Sequence, residues 1–552
     1  MSTESVSRTC ADVIELIGNR TDMRPRRRQD LTSAVRRFCR LLHRSPRDVS
    51  VDVDRLRREL AQISSATSRL SPGSCRNLKS LFGKALIAAE VITVPRRSRA
   101  PLAPDWRRLL AAIEPYQRYR LVHFARYLSE RDIAPSEVDN KILAGYRSDL
   151  ISNDLLRLPK QAARYAVRAW NCARATEAGR HLRELEIPYI RRKYALSLAE
   201  FPNSFQEDLH SYQAHLKGDD LFGERSARPA SRDTITAQRY HILALASALV
   251  EAGYDRQCIG SLADLVTSEA AQAALTVVWK RLGQRKTSHL YNLACLIVHL
   301  GRHWAELPAA QLDRLRELQR SLNPGQVGMT ESNRRKLAQF ADRANVAALV
   351  HLPRRLMKEA VRHDRGGVRE ALLAQTALAI AILLAAPLRI RTLVSLNADE
   401  HIIRSRSGPR AVVHLVIPAA NVKNRVPLEF MLPSRVVELF DLYWERFRPR
   451  LVTAPGSWLF PGRSGYKERD GMRIQISETI RKATGLRMHP HLFRHLAAFL
   501  ILRRNPGEFE TVRVLLGHRS IATTIRFYCA MEQAAAFARF DEVVSGYLAE
   551  EE

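Results

Sequence analysis

The longest run of apolar residues in this chain, from Ala377 to Leu388, contains only 12 residues even when Pro387 is counted. A helix needs about 20 apolar residues to cross a lipid bilayer. The run is therefore predicted to belong to a buried helix that extends from Arg369 to Ala386 and ends at the proline. The sequence thus predicts a folded core around this helix and no membrane partner.

A stretch rich in proline and arginine, residues 95–104, interrupts the chain early and is typical of a linker. A chain of 552 residues exceeds the size of one ordinary domain, so several domains are expected. The predicted ranges are an arginine-rich N-terminal helical region at 1–94, a helical domain that binds DNA or a partner at 105–198, a second helical block at 200–330, and a final domain at 345–552.

Helical patterns dominate these ranges, because apolar residues recur at intervals of three and four positions. Two segments of the final domain differ. Ala411–Ile417 is rich in β-branched residues, and Arg425–Leu432 alternates between apolar and polar residues, so both are predicted strands. The expected fold class is mainly α with a small β-sheet (α+β) in the C-terminal domain, preceded by helical domains.

The charge of the chain favours a polyanionic partner. It contains 88 Lys and Arg residues against 57 Asp and Glu residues, a formal net charge of +31. Nucleic acid is the usual partner of such a chain, because each cation near a phosphate releases condensed counterions. Arg239, Arg285 and Lys286 are candidates for a DNA-facing surface, and an ordinary solvated helix face is the alternative for each.

The seven cysteines are scattered singly, and no C-x-x-C pair occurs. This pattern argues against a disulfide framework and against a cysteine zinc site. The N-terminus also lacks the basic and apolar segments of a secretory signal. A cytoplasmic location is therefore expected.

The end of the chain concentrates side chains suited to phosphodiester chemistry. The segment LLGHRSIATTIRFY places His518 ten residues before Tyr528, and HPHLFRH supplies His491 and Arg494 just upstream. A tyrosine hydroxyl can attack phosphorus and form a covalent phosphotyrosine without water or metal. Arginines can hold the phosphate oxygens in the transition state, while histidines donate hydrogen bonds or transfer protons.

Two further cations complete this set. Arg389 follows the long apolar helix, and Lys423 lies between the two predicted strands, where it could protonate a leaving 5′ oxygen. A structural salt bridge for Arg389 and an exposed turn lysine at 423 are the alternatives. His489, His491, His495 and His518 could instead indicate a metal site. However, the segment from His489 to His495 contains no carboxylate or cysteine, and Arg494 within it would repel a cation. Neither a metal nor another cofactor is therefore expected.

The last ~200 residues resemble the catalytic domain of the tyrosine recombinases, the phage integrase family. The resemblance is carried by four motifs in order, namely APLRIRTLVSL around Arg389, VKNRVPLEFMLP around Lys423, HPHLFRHLAA around His491 and Arg494, and LLGHRSIATTIRFY with His518 and Tyr528.

By this resemblance, Arg389 and Arg494 would bind the scissile phosphate and His518 would donate a hydrogen bond to it. The proton transfers and the attack are assigned by the same resemblance to three other side chains. Lys423 would be the general acid toward the leaving 5′-hydroxyl, His491 would assist proton transfer, and Tyr528 would attack to give a 3′-phosphotyrosine.

The resemblance also implies partners. Residues 200–330 would be the core-binding domain, which closes around double-stranded DNA together with the catalytic domain. The protein would act in the bacterial nucleoid as a homo-tetramer on paired sites, or with a sister recombinase, to integrate, excise or resolve a mobile element.

Two departures from the family pattern affect the expected site. Thr392 stands where the family often has an acidic residue, and no glycine-rich turn precedes Lys423. The alternative functions are a DNA-binding accessory factor that has lost catalysis, a type IB topoisomerase with the same chemistry, and a non-enzymatic helical scaffold.

Overall fold

The computed structural model describes residues 8–63, 65–68, 70–92, 101–153, 155, 158–188, 194–218, 229–325, 328–405, 412–422, 424–453, 455–462, 465–528 and 533–549. The chain divides into two compact units. One consists of Met1–Pro188 together with Gly328–Glu552, and the other of Tyr189–Val327. Residues 95–100 of the predicted linker, Ala411 of the first predicted strand, and Lys423 lie outside the described residues.

The first unit begins with five helices, and all but the fourth contribute to a core that includes Phe38 and Phe82, whose ring centroids are 4.1 Å apart. Thr9 starts the first helix with a capping box, because its side chain accepts from the Asp12 amide while Asp12 accepts from the Thr9 amide. These helices are α1 Cys10–Gly18, α2 Pro25–Leu41, α3 Val53–Gln62, α4 Ser65–Ser68 and α5 Pro72–Ala88.

Four more helices of the first unit surround a second core, in which Trp106, Phe124 and Trp170 pack together. They are α6 Pro104–Ala111, α7 Pro115–Ser129, α8 Asn140–Asn153 and α9 Pro159–Ala173. The buried guanidinium of Arg57, on α3, donates to the carbonyl oxygen of Ile151 across 2.9 Å and so joins the two helical groups.

The described residues of the second unit, 194–218 and 229–325, form helices joined by turns and loops, with no strand among them. Its helices are α10 Asn203–Lys217, α11 Arg232–Glu251, α12 Ser268–Arg281, α13 Ser288–His303 and α14 Ala309–Ser321. Ser231, Thr267 and Thr287 each accept a hydrogen bond from an amide of the first turn, which explains where α11, α12 and α13 begin.

The rest of the first unit mixes helices with two small sheets. Its helices are α15 Glu331–Ala338, α16 Arg343–Val350, α17 Leu352–Arg362, α18 Val368–Ala385, α19 Ile390–Val394, α20 Ala398–His401, α21 Ser434–Leu442, α22 Arg469–Thr484, α23 Pro490–Arg504, α24 Phe509–Leu516, α25 Ile521–Tyr528 and α26 Gln533–Ala549. Its strands are β1 Ile402–Arg404, β2 Val413–Ile417, β3 Leu428–Leu432, β4 Pro461–Gly462 and β5 Gly465–Tyr466.

The larger sheet is antiparallel in the order β1-β2-β3, with Leu415 opposite Ile402 on one side and Phe430 on the other. The second predicted strand, Arg425–Leu432, begins three residues too early. Arg425 has φ 52°, a left-handed conformation that belongs to a turn, and Pro427 has no amide hydrogen for a ladder bond. The strand therefore starts at Leu428.

Helix α18 lies at the centre of this part of the chain. From Ala374 to Leu383 its residues are all buried, as predicted for the longest apolar run. By length and composition α18 is the one helix among the described residues that could cross a membrane, and 61% of it is buried inside the protein. Apolar neighbours within the protein therefore account for its composition.

The structure confirms the expected fold class, mainly helical with a small antiparallel sheet near the C-terminus. The four predicted domain ranges stay predictions. The six cysteines within the described ranges are free thiols.

Candidate active site

Arg389 lies where the central helix ends and α19 begins. Pro387 cannot continue α18, and Arg389 adopts an extended conformation as the residue before α19. Its guanidinium is half-buried, and burial lowers its pKa from the ordinary value. Within the described part of the chain this arginine forms no ion pair. A half-buried cation without a carboxylate partner is suited to bind an anion.

Arg494, on α23, is buried deeply beside the end of α18. Its Nη1 donates to the carbonyl oxygen of Pro387 across 2.8 Å, and its Nη2 donates to that of Leu516 across 2.6 Å. Burial and the nearby Arg389 lower the pKa of Arg494 to about 10, so it remains protonated at neutral pH. The two guanidiniums repel one another, and an anion bound between them would relieve this repulsion.

His518 follows the left-handed residue Gly517, which ends α24 with φ 58°. Its Nε2 is 3.4 Å from Nη2 of Arg494, and its Nδ1 is 2.9 Å from Oγ1 of Thr524. Because arginine can only donate, Nε2 accepts, and Nδ1 carries the hydrogen that is donated to Thr524. Burial, with Arg494 and Arg389 nearby, lowers the pKa of His518 to about 4 and keeps the ring neutral.

Tyr528 is the last residue of α25 and is only 2% exposed. Its hydroxyl oxygen is 3.1 Å from Nδ1 of His495. Burial raises the pKa of Tyr528 to about 12, although Arg494 and Arg389 act in the opposite direction. The phenol is therefore protonated at neutral pH and stands beside the arginine pair.

His491 and His489 lie near the start of α23. The ring of His491 is 4.9 Å from that of His495, one helical turn later on the same face. Burial of the imidazole and the neighbouring Arg494 and Arg389 lower the pKa of His491. His489 precedes the helix, and its Nε2 is 3.4 Å from Oδ1 of Asn333.

The structure brings Arg389, Arg494, His518 and Tyr528 together, with His491 alongside. Lys423 lies outside the described residues. Thr392 is buried on α19. Arg239, Arg285 and Lys286 belong to the other unit. Among the described residues, no three His, Cys, Asp or Glu side chains lie close enough together to hold a metal ion.

His495 contacts the tyrosine hydroxyl, although the sequence suggested it only as a member of a possible metal site. The position of His495 in the sequence could have identified it as a residue of the site. It follows Arg494 directly and comes four residues after His491, so a helix places all three on neighbouring parts of one surface.

The arrangement can bind a singly or doubly charged anion between two guanidiniums and present a hydroxyl to it. The histidines around this site are neutral at pH 7 and so supply hydrogen bonds rather than charge. A phosphate ester matches this combination of fixed positive charge and neutral donors.

Comparison with known proteins shows what this part of the chain is similar to. Residues 354–534 match the phage integrase family, and this range contains every residue of the site. Two curated relatives from Sinorhizobium fredii (strain NBRC 101917 / NGR234) are the putative integrase/recombinases y4qK and y4eF. Each is 30% identical, over 119 and 120 residues, which is 20% of this chain. The matches cover 35% and 43% of the relatives, so this chain spans less than half of their length.

Two solved structures match this chain at low similarity. The Tn1549 transposon integrase, in complex with circular intermediate DNA, is 15% identical, with 61% of this chain and 98% of that chain covered and a TM-score of 0.36. The XerH site-specific recombinase, bound to palindromic difH substrate, is 12% identical, with 63% and 100% covered and a TM-score of 0.31.

Proposed function

We propose, from the match of residues 354–534 to the phage integrase family, that the protein is a site-specific DNA recombinase. It cleaves and rejoins DNA strands through a 3′-phosphotyrosine intermediate. Neither a metal ion nor a high-energy cofactor takes part, because the phosphotyrosine conserves the energy of the broken phosphodiester bond.

The observation that carries this proposal is the pair of guanidiniums beside a tyrosine hydroxyl. Arg389 and Arg494 lie close enough to lower the pKa of Arg494, and neither forms an ion pair with a described carboxylate. Positioned cations near a nucleophile stabilise the charge that develops on a phosphate as it is attacked. The hydroxyl of Tyr528 lies in the electrostatic field of these two cations.

Each side chain has a step in the proposed reaction. Arg389 and Arg494 hold the scissile phosphate, and His518 donates to it from Nε2 in the tautomer whose Nδ1 accepts a hydrogen bond from the Thr524 hydroxyl. Tyr528 attacks phosphorus, and the bond to the 5′ oxygen breaks.

The remaining proton transfers rest on the family resemblance. Lys423 protonates the leaving 5′ oxygen, and His491 assists the transfer of the proton that the Tyr528 hydroxyl loses as it attacks. In rejoining, a 5′-hydroxyl attacks the phosphotyrosine and the same steps run in reverse.

The partners follow from the same proposal. Double-stranded DNA is the substrate, and the unit Tyr189–Val327 acts as the core-binding domain with Arg239, Arg285 and Lys286 toward DNA. A tetramer on paired sites, alone or with a sister recombinase, exchanges the strands of a mobile element in the bacterial cytoplasm.

Covalent capture tests the proposal. The full chain is incubated in EDTA with sheared DNA from its own source, denatured, and the DNA that stays attached is sequenced. We expect attached DNA with the wild type and none with Tyr528→Phe, which removes only the attacking oxygen. Tyr466→Phe is the matched control, because Tyr466 is an exposed tyrosine of β5 in the same domain.

The other outcomes favour different functions. Retained DNA binding without any adduct favours the accessory factor that has lost catalysis. Relaxation of supercoiled plasmid without exchange between two duplexes favours a type IB topoisomerase. An adduct that survives Tyr528→Phe identifies another nucleophile.

A further inference from the structure

We infer that His495 is a positioning residue for the nucleophile: its neutral ring accepts a hydrogen bond from the Tyr528 hydroxyl and fixes the direction of that O–H group. The inference rests on the proposed function. It adds a residue that the resemblance to recombinases did not assign.

The hydrogen bond is part of a buried and well-defined contact. Nδ1 of His495 lies 3.1 Å from the hydroxyl oxygen of Tyr528, and the ring centroids are 5.6 Å apart at an angle of 66°. His495 is 5% exposed and Tyr528 is 2% exposed. Water therefore has little access to either partner, and each group depends on the other for its hydrogen bond.

The direction of this bond follows from the protonation of its partners. Burial and the cations around the site lower the pKa of His495 to about 4, and burial raises the pKa of Tyr528 to about 12. Both groups are thus neutral at pH 7. A phenol is the better donor and an imidazole nitrogen the better acceptor, so Tyr528 donates and His495 accepts.

The same values place the proton on Tyr528 before the reaction begins. The lowered pKa of His495 and the raised pKa of Tyr528 both oppose transfer of the proton from the phenol to the imidazole at this stage. In the unreacted site His495 therefore orients the hydroxyl. With the hydrogen held on the His495 side, the free lone pairs of the oxygen remain available to attack phosphorus.

The position of His495 on the chain makes this orientation useful. His495 follows Arg494, so one rigid helix, α23, carries both a phosphate ligand and the partner of the nucleophile. The helix thereby sets the distance between the bound phosphate and the tyrosine oxygen. His491, in contact with the His495 ring at 4.9 Å, restrains that ring from the preceding turn.

A core hydrogen bond with no catalytic consequence is the competing explanation. Two substitutions separate the explanations in the full chain. His495→Leu keeps an apolar side chain in the site but removes the acceptor, whereas His495→Asn places an amide oxygen near the position of Nδ1. The measured quantity is the rate of covalent adduct formation on a duplex that contains the site recovered by covalent capture.

We expect His495→Leu to form the adduct about 100-fold more slowly than the wild type, since small misplacements of reacting groups cost rates of this order. His495→Asn should restore most of the rate, and both variants should bind the duplex as the wild type does. Adduct formation by His495→Leu at the wild-type rate would overturn the inference.

A modified duplex shows whether a substitution affects the nucleophile or the departure of the 5′ oxygen. A sulphur atom in place of the bridging 5′ oxygen leaves without help from a general acid. His495→Leu should remain slow on this duplex, because the defect concerns the nucleophile, while Lys423→Ala should regain activity. Recovery of His495→Leu would place His495 at the leaving group and contradict the inference.

Folding is checked by thermal unfolding of each variant, with His495→Phe as a second variant that keeps a ring but has no acceptor. Failure of both His495→Leu and His495→Phe to fold would assign His495 to the core alone and overturn the inference. Absence of any adduct from the wild type would instead refute the proposed function, and the inference with it.

Discussion

Nδ2 of Asn424 donates a hydrogen bond to the carbonyl oxygen of Gly517 across 2.8 Å. A second bond runs the other way, from Nε of Arg519 to the carbonyl oxygen of Asn424 at 2.6 Å. These two bonds join Asn424, the residue after Lys423, to Gly517 and Arg519, which flank His518 in the sequence. The turn between β2 and β3 is therefore tied to the segment that carries a predicted phosphate ligand.

Asn424→Ala should slow DNA cleavage by about tenfold, because loss of the side-chain bond lets the turn move away from the phosphate site. The measurement is the rate of adduct formation on a duplex with the captured site. Asn345→Ala is the matched control, since Asn345, on α16, makes the same kind of bond, from Nδ2 to the carbonyl oxygen of Gln339 at 2.8 Å. Equal rates for the two variants would show that the hydrogen bond from Asn424 to Gly517 has no role in cleavage.

Gly517→Ala should destabilise the first unit more than an ordinary glycine substitution at positive φ. A Cβ at this position would lie 2.7 Å from Cδ2 of Leu428, a buried residue that begins β3. Gly366 has φ 79° and open space around its Cα, so Gly366→Ala measures the backbone cost alone. That cost is roughly 1–2 kcal/mol.

Urea unfolding of the full chain should show about 1 kcal/mol of further destabilisation for Gly517→Ala relative to Gly366→Ala, the lower end for an overpacked site. Cleavage should fall as well, because His518 is the next residue. A Gly517→Ala variant as stable as Gly366→Ala would mean that Leu428 moves aside without cost.

Much of the fold follows from local patterns. The apolar composition of α18 predicts its burial, and β-branched or alternating residues mark β2 and β3. Strand β1, Ile402–Arg404, has three residues, one of them charged, and no local pattern marks it. It forms because the free edge of β2 offers backbone hydrogen bonds, which is a property of the assembled sheet.

The candidate site is less accessible to sequence reasoning than the fold. Motif order suggested which residue types take part, but their geometry depends on packing between distant segments. Arg494 is held by the carbonyl oxygen of Pro387, 107 positions away, and the bond between His495 and Tyr528 spans 33 positions. A pattern read along one segment carries no information about such contacts.

Lowering the pH from 7 toward 4.5 should destabilise α23. The folded-state pKa of His495 is about 4, below its unfolded value of about 6.5. Between these values the unfolded chain binds more protons than the folded chain. The contribution of His495 to the free energy of unfolding is therefore fully present above pH 6.5 and is lost progressively as the pH falls toward 4. His489 and His518 shift in the same direction and add to the effect.

Hydrogen exchange of peptides from α23, corrected for the intrinsic pH dependence, measures this loss in the full chain. His495 alone should account for about 3 kcal/mol over the complete interval, from a pKa difference of about 2.5 at 1.36 kcal/mol each. His495→Asn should therefore show a flatter pH dependence than the wild type. Identical profiles would mean that this histidine stays uncharged in the unfolded chain or is charged in the folded one.

Arg285→Ala combined with Lys286→Ala should weaken DNA binding in a salt-dependent manner. Both residues are exposed in the turn between α12 and α13, and the guanidinium of Arg285 makes a long hydrogen bond, 3.4 Å, to the carbonyl oxygen of Leu282. Each phosphate contact contributes about 0.9 to the slope of log affinity against log salt, so the slope should fall by about 1.8. Fluorescence anisotropy with a duplex of unrelated sequence, over a series of salt concentrations, measures this slope.

The matched control removes the same charge from another surface of that unit. Arg314 and Arg320 are exposed on α14, and Arg314→Ala with Arg320→Ala lowers the net charge equally. If Arg285 and Lys286 contact phosphates, the control should keep most of the wild-type slope, because distant charges act only through a screened field. An equal loss of slope in both double variants would show that the general charge of the unit, rather than this turn, attracts DNA.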